Sequence, residues 1–195
     1  AMISCYHERG LNQEAFSMYE MIQKHGIEPD RYMFVSLIRI CANTRDLQKG
    51  REFHDEADRR GYVLDVSVAN SLVSMYGKCG CVEEAESVFT GLVERNIVSW
   101  NSMLVVYNEH NKATKALRLY RQMHKEGPIP GQVGNMLALQ ACCIMRDEEE
   151  NCVIYQENVV AGSLEIGQGL HADAHKRGFT SDFHFASALL TLYVK

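Results

Sequence analysis

The stretches NSLVSMYGKCG, residues 70–80, and NSMLVVYNEHN, residues 101–111, decide the fold. Both open on Asn-Ser and reach Tyr six residues after the Asn, and they lie 31 residues apart. Shifting the chain by 31 also lays Ala85 on Ala116. A shift of 101 brings Tyr6, Glu8, Ala15, Tyr19, Gly26 and Pro29 onto Tyr107, Glu109, Ala116, Tyr120, Gly127 and Pro130. A third shift, of 117, lays Leu47, Gly50, His54, Ala57, Arg60, Gly61 and Asp65 on Leu164, Gly167, His171, Ala174, Arg177, Gly178 and Asp182. Self-similarity at a fixed period is the signature of a repeat architecture.

Each unit reads as two helices. Trp100, Met103, Leu104 and Tyr107 recur at helical spacing, and Ala116, Leu117, Tyr120 and Met123 share the face of a second helix. Asn111 and Gly80 mark breaks between helices, while Gly127-Pro128 and Gly26 with Pro29 stop second helices. Glu83, Glu84 and Glu86 sit in the first turns of a helix, where its positive end favours acids. No segment calls for a strand. A helical hairpin of about 35 residues cannot cover its own apolar face, so neighbours must stack into a continuous core. The expected fold is all-α, a right-handed α-solenoid of stacked antiparallel helix-turn-helix repeats. Tyr6, Tyr76, Tyr107 and Tyr193 read as packing residues between its helices.

Composition sets the outer bounds. The 195 residues are 46% apolar, and the apolar run Met103–Tyr107 falls far short of the roughly 18 residues that a membrane span needs. The expectation is a soluble chain with no membrane partner. The opening AMISCYHERG has no secretory-signal pattern and reads as the tail of a repeat, so a fragment of a longer chain is expected. Seven cysteines, an odd number without a compact framework, suit a reducing compartment. The net charge of −5 is unusual for a nucleic-acid binder, because phosphate neutralisation dominates such affinity.

The segments NIVSWNSMLVVYNEHNKATKALRLYRQMHKEGPIP, VANSLVSMYGKCGCVEEAESVF and GREFHDEADRRGYVLD resemble the pentatricopeptide repeat family, and its plant subclass that alternates three repeat variants. In that frame the units are a partial repeat at 1–30, a long one at 31–65, a short one at 66–96, a standard one at 97–131, a long one at 132–182 and a partial one at 183–195. The second long unit carries 16 surplus residues within about 143–162, and its acidic run Asp147–Glu150 is expected to form an exposed loop between two helices.

The resemblance implies single-stranded RNA binding at one base per repeat, read by a residue early in the first helix together with the residue that closes the repeat. It assigns Asn70 with Asn96, Asn101 with Gly131, Val35 with Asp65 and Met136 with Asp182. Ser187 opens a further pair and Asp30 closes an earlier one. An amide offers one acceptor and two donors, which suits the mixed edge of a base. Gly131 stands where the family usually has Asp, and the apolar Val35 and Met136 imply weak base selection. Asn is also a favoured helix cap, so a capping role for Asn70 and Asn101 stands beside the reading role that the family phase favours. Phosphate contacts fall by the same resemblance to Lys78 and Lys195, with Glu8, Asn43 and Glu109 at that phase elsewhere.

Enzyme chemistry finds little footing. His171 and His175 have the i, i+4 spacing of zinc ligands, but Ala172 stands where a metalloprotease needs Glu, and His54 recurs at the phase of His171, which favours packing. His54-Asp-Glu56 has the spacing of a zinc deaminase, yet no Pro precedes a Cys. Cys79-Gly-Cys81 falls at an inter-helix turn. The expectation is therefore no catalysis, no metal, no cofactor and no small-molecule substrate. The leading function is an RNA-recognition module for organelle transcript processing or C-to-U editing in mitochondrion or chloroplast, with editing-factor proteins as further partners. The alternative is a helical-repeat scaffold that binds a protein, which the acidic balance favours.

Overall fold

A computed structural model describes residue 6 and residues 9–151, 163–178 and 183–194. Among the described residues it has ten α-helices, one 3-10 turn and no strand. The chain divides into two compact units, Ala1–Arg95 and Asn96–Lys195.

The first unit comprises α1 (Asn12–Lys24), α2 (Arg31–Thr44), α3 (Leu47–Arg59), a 3-10 turn at Tyr62–Leu64, α4 (Val66–Lys78) and α5 (Val82–Gly91). Sequential helices pack as antiparallel hairpins, and α2 also packs directly on α4. A helix with a neighbour on each side must be apolar around most of its girth. Phe34, Leu37, Ile38 and Ile40 of α2 and Leu72 and Met75 of α4 are accordingly inaccessible to solvent.

The second unit comprises α6 (Ile97–Glu109), α7 (Ala113–Glu126), α8 (Gln132–Asn151), α9 (Ser163–Lys176) and α10 (Phe183–Val194). Here α8 packs on both α6 and α10, while α7 and α9 pack behind. Met103, Leu104, Met123, Leu139, Phe185 and Leu192 form its centre.

Turns follow one plan. Gly80 and Asn111 adopt positive φ between paired helices, and Arg45 does the same at φ 55 without the usual Gly or Asn. A second device recurs 117 residues apart. A Cβ on Gly50 of α3 would lie 2.5 Å from Met75 Sδ, and one on Gly167 of α9 would meet Leu192. Each Gly opens a notch for a buried side chain of the next first helix.

One expectation is corrected. The acidic run Asp147–Glu150 is not a loop: α8 continues through it to Asn151, because Glu is a good helix former placed directly after a helical stretch. The remaining surplus residues, 152–162, lie outside the described residues. Tyr193 packs between helices, its ring 5.9 Å from that of His171 on α9, although it stays 42% exposed. Tyr76 and Tyr107 are buried as expected.

Candidate nucleic-acid interface

Val35, Asn70, Asn101, Met136 and Ser187 are each the fifth residue of α2, α4, α6, α8 and α10. The first four are half-buried and Ser187 is exposed. Side chains one turn inside a helix cannot reach its free N–H groups, so the capping reading of Asn70 and Asn101 is excluded. The caps are the residues expected to close the repeats. Asp30 accepts from Met33 N at 2.9 Å, Asp65 from Ser67 N at 2.8 Å, and Asn96 from Ser99 N at 3.0 Å.

Asn70 and Asn101 share a further property: the Oδ1 of each is buried without a hydrogen-bond partner. Such an acceptor costs about 1–3 kcal/mol until a donor arrives. In the second unit the cause is visible, because Gly134 of α8 presses on Asn101, leaving an added Cβ only 3.3 Å from that oxygen. Asn70 belongs to the first unit and its assigned partner Asn96 to the second.

The pair Val35 and Asp65 is brought to adjacent helix ends. Arg31, the first residue of α2, bonds the Asp65 carboxylate at 3.0 Å, and the same carboxylate caps α4. A base approaching Asp65 must compete with those donors. Gly131 precedes α8 and is half-buried, and a Cβ there would find only Ile97 Cδ1, at an ordinary 3.6 Å. Asp182 and Lys195 lie outside the described residues. Lys78 is exposed, and its Nζ donates to Oδ1 of Asn43, the residue at the same helical phase of α2, at 2.9 Å.

Met136 and Ser187 line one cavity of about 950 Å³ between α8 and α10, and Asn108 and Glu109 at the end of α6 border it. The Nδ2 of Asn108 donates to Leu137 O at 2.8 Å, and its Oδ1 is a third buried acceptor without a partner. Reading the sequence missed Asn108, whose isolation arises from a neighbouring helix. It also missed Tyr32, Val98 and Val133, each the second residue of a first helix and 61%, 53% and 51% exposed. Their signal was present, since three large apolar residues hold one phase.

Two of the histidines pair with tyrosines. His54 Nδ1 lies 2.7 Å from the Tyr76 hydroxyl, and the pair 117 residues on, His171 Nδ1 and Tyr193 hydroxyl, lies at 3.3 Å. Burial lowers the His54 pKa and pushes that of Tyr76 up to about 12, so both are neutral near pH 7. Burial also raises the Cys79 and Cys81 thiols, which disfavours the thiolate that metal binding needs. No helix of the described residues is long and apolar enough to cross a membrane.

Comparison with known proteins identifies the repeat family. The PPR repeat family matches residues 1–27, 67–97 and 98–128, and the pentatricopeptide repeat domain matches 17–78, so together they span 1–128. The chloroplastic pentatricopeptide repeat-containing protein CRR2 of Arabidopsis thaliana is 33% identical over 190 residues, covering 94% of this chain and 26% of the relative. A mitochondrial pentatricopeptide repeat-containing protein of the same plant is 32% identical over 155 residues, 80% of this chain and 22% of the relative. The chain thus spans about a quarter of the length of these relatives. The crystal structure of the pentatricopeptide repeat protein PPR10 from maize matches 96% of this chain and 25% of its own, with TM-score 0.64 and 18% identity. PPR10 in complex with an 18-nt psaJ RNA element matches 96% of this chain and 29% of its own, with TM-score 0.67 and 17% identity. The fold is that of an α-solenoid of stacked helix-turn-helix repeats. The chain belongs to the pentatricopeptide repeat family.

Proposed function

We propose that this chain is the recognition segment of an organellar single-stranded RNA-binding protein, one that contributes no catalysis of its own to transcript processing or C-to-U editing. The observation that carries the reading is the pair of buried, unpartnered amide oxygens at Asn70 and Asn101, in phase on two first helices. Each is an acceptor already desolvated and waiting for a donor, which the edge of a base supplies. The RNA named in the PPR10 complex and the chloroplastic and mitochondrial names of the relatives support the class of ligand and the compartment.

The repeat division follows the alternating subclass, with boundaries after residues 30, 65, 96, 131 and 182. Asn70 with Asn96 is the pair polar on both sides. Asn101 reads with the reduced partner Gly131, and Val35 with Asp65, Met136 with Asp182, Ser187 and Asp30 complete the set. Exposed Tyr32 offers a ring on which a base stacks, worth about 1–3 kcal/mol once the Arg31 guanidinium 4.9 Å from its centre yields the place, and Val98 and Val133 offer apolar contact at the same phase. Lys78 and Lys195 meet phosphates, and Lys78 has to leave Asn43 to do so. Editing-factor proteins would then bring the chemistry.

A salt titration of the intact chain against single-stranded RNA tests this. Affinity should fall steeply with added salt and fall further in Asn70→Ala. A flat response would favour the protein-binding scaffold, which Glu109 and the net charge of −5 also suit, whereas salt-dependent binding indifferent to Asn70 would remove Asn70 from the reading set.

A further inference from the structure

The cavity between α8 and α10 has the form of a ligand pocket, with apolar walls and a few convergent polar groups. Val133, Met136 and Ile144 supply the walls. Met136 holds the reading position of the second long repeat, but its thioether is only a weak acceptor. One turn further along α8, Gln140 is exposed and lines the same cavity. Residues four apart share a helix face, so Gln140 presents an amide where Met136 cannot. Asn108 contributes its buried, unpartnered oxygen, with the amide held in place by the bond to Leu137 O. The Thr191 hydroxyl is committed as a donor to Ser187 O at 3.0 Å and so offers an acceptor. Among the lining residues Glu109 carries the single charge, and it is negative.

A neutral, flat group that both donates and accepts hydrogen bonds satisfies this lining, and an anion does not. Resting on the RNA-binding reading, we infer that the cavity seats one base of a single-stranded RNA, with Gln140 reading its edge in place of Met136 and Asn108 accepting from it. Glu109 keeps the adjoining phosphate outside. The second long repeat is then selective for a base, contrary to what Met136 alone implies.

Nuclear magnetic resonance of the intact chain, with methyl-labelled methionine, reads even weak occupancy at Met136. Uridine, cytidine, adenosine, guanosine and ribose 5-phosphate are titrated separately, and RNA binding is measured in parallel. The Met136 methyl should shift with at least one nucleoside and not with ribose 5-phosphate. The exposed substitution Gln140→Ala should weaken that nucleoside about 2- to 10-fold, as expected for one neutral hydrogen bond. Gln140→Glu, which exchanges donors for acceptors, should change which nucleoside binds best. RNA binding with no nucleoside response at Met136, or with Gln140 variants indistinguishable from the parent, overturns this inference and leaves the RNA reading standing. Failure to bind RNA overturns both, even if nucleosides bind.

Discussion

The chain builds the same junction twice and seals it with different chemistry. In the first unit Phe34 of α2 is fully buried, its ring 6.1 Å from Tyr19 of α1 and 5.7 Å from Tyr62, while Tyr19 meets Phe53 of α3 edge-on at 5.3 Å. In the second unit the counterpart 101 residues on is Asn135 of α8, also fully buried. Tyr120 of α7 donates to its Oδ1 at 2.6 Å, and its Nδ2 donates to Asp173 of α9 at 3.3 Å. Asp173 holds Arg177 at 3.0 Å, and Arg177 donates to Pro130 O. The tyrosines occupy equivalent places, yet one junction is an aromatic cluster and the other a polar chain. Repeat phase therefore dictates where a side chain points, and leaves open how its contacts are satisfied.

Removing the aromatic centre should have the largest effect. Phe34→Ala leaves a cavity among rings that cannot close over it, at a cost of about 3–5 kcal/mol. Urea denaturation followed by circular dichroism should show the loss as a lower midpoint. A loss under about 1 kcal/mol would mean that the rings repack and that the two junctions differ less than their contacts indicate.

The polar junction should respond more gently but with stronger coupling. Asn135→Ala strands the Tyr120 hydroxyl and should cost about 1–3 kcal/mol. Tyr120→Phe strands Asn135 in turn. The double variant should cost less than the two single effects added, since each partner is stranded only while the other remains. Simple additivity would show that the 2.6 Å bond contributes nothing of its own.

The third effect is confined to the junction after the aromatic cluster, where His54 meets Tyr76. Burial lowers the His54 pKa, against smaller opposing influences from Asp55 and Asp58. The unfolded chain therefore takes up this proton first, and stability falls as pH drops below the free-histidine value of about 6.5. Above that value His54 is neutral in both states and adds no slope. The stability difference between the parent and His54→Gln should thus be larger at about pH 7.5 than at about pH 5.5, as denaturation at each pH will show. A difference that grows on acidification would mean that His54 is charged in the fold.

The positions where reading the sequence succeeds are those where one residue carries the signal. Gly26, Gly80 and Asn111 take positive φ, which their residue types tolerate, so each turn is legible by itself. Arg45 holds the same conformation at φ 55 with no such mark. Capping was harder, because Asn and Asp appear both before and inside the first helices. What separates Asn96 from Asn101 is a single turn of helix, and that is visible only once α6 is seen to start at Ile97. Acidity misled at Asp147–Glu150, where helix propensity prevails over charge density. Asn135 and Asn108 were out of reach for another reason: their environments are assembled from helices distant in the chain, and no local pattern encodes them.

The smallest expected effect on stability is the most informative about function, and it lies at the start of the same two junctions. Asp30 caps α2 in the first, while Gly131 at the equivalent place has no side chain to offer α8. A Cβ on Gly131 would meet only Ile97, so Gly131→Asp fits the space. Exchanging Gly for Asp at a cap should add only a few tenths of a kcal/mol. If the RNA reading holds, the same substitution restores the partner that Asn101 lacks, because a carboxylate accepts from a base edge that Gly cannot contact. The expected result is an almost unchanged denaturation midpoint together with an altered preference among homopolymeric RNAs at low salt. If both midpoint and preference stay unchanged while the chain binds RNA, the residue closing this repeat serves as a helix cap alone, and the resemblance between Gly131 and a reading position is one of phase without contact.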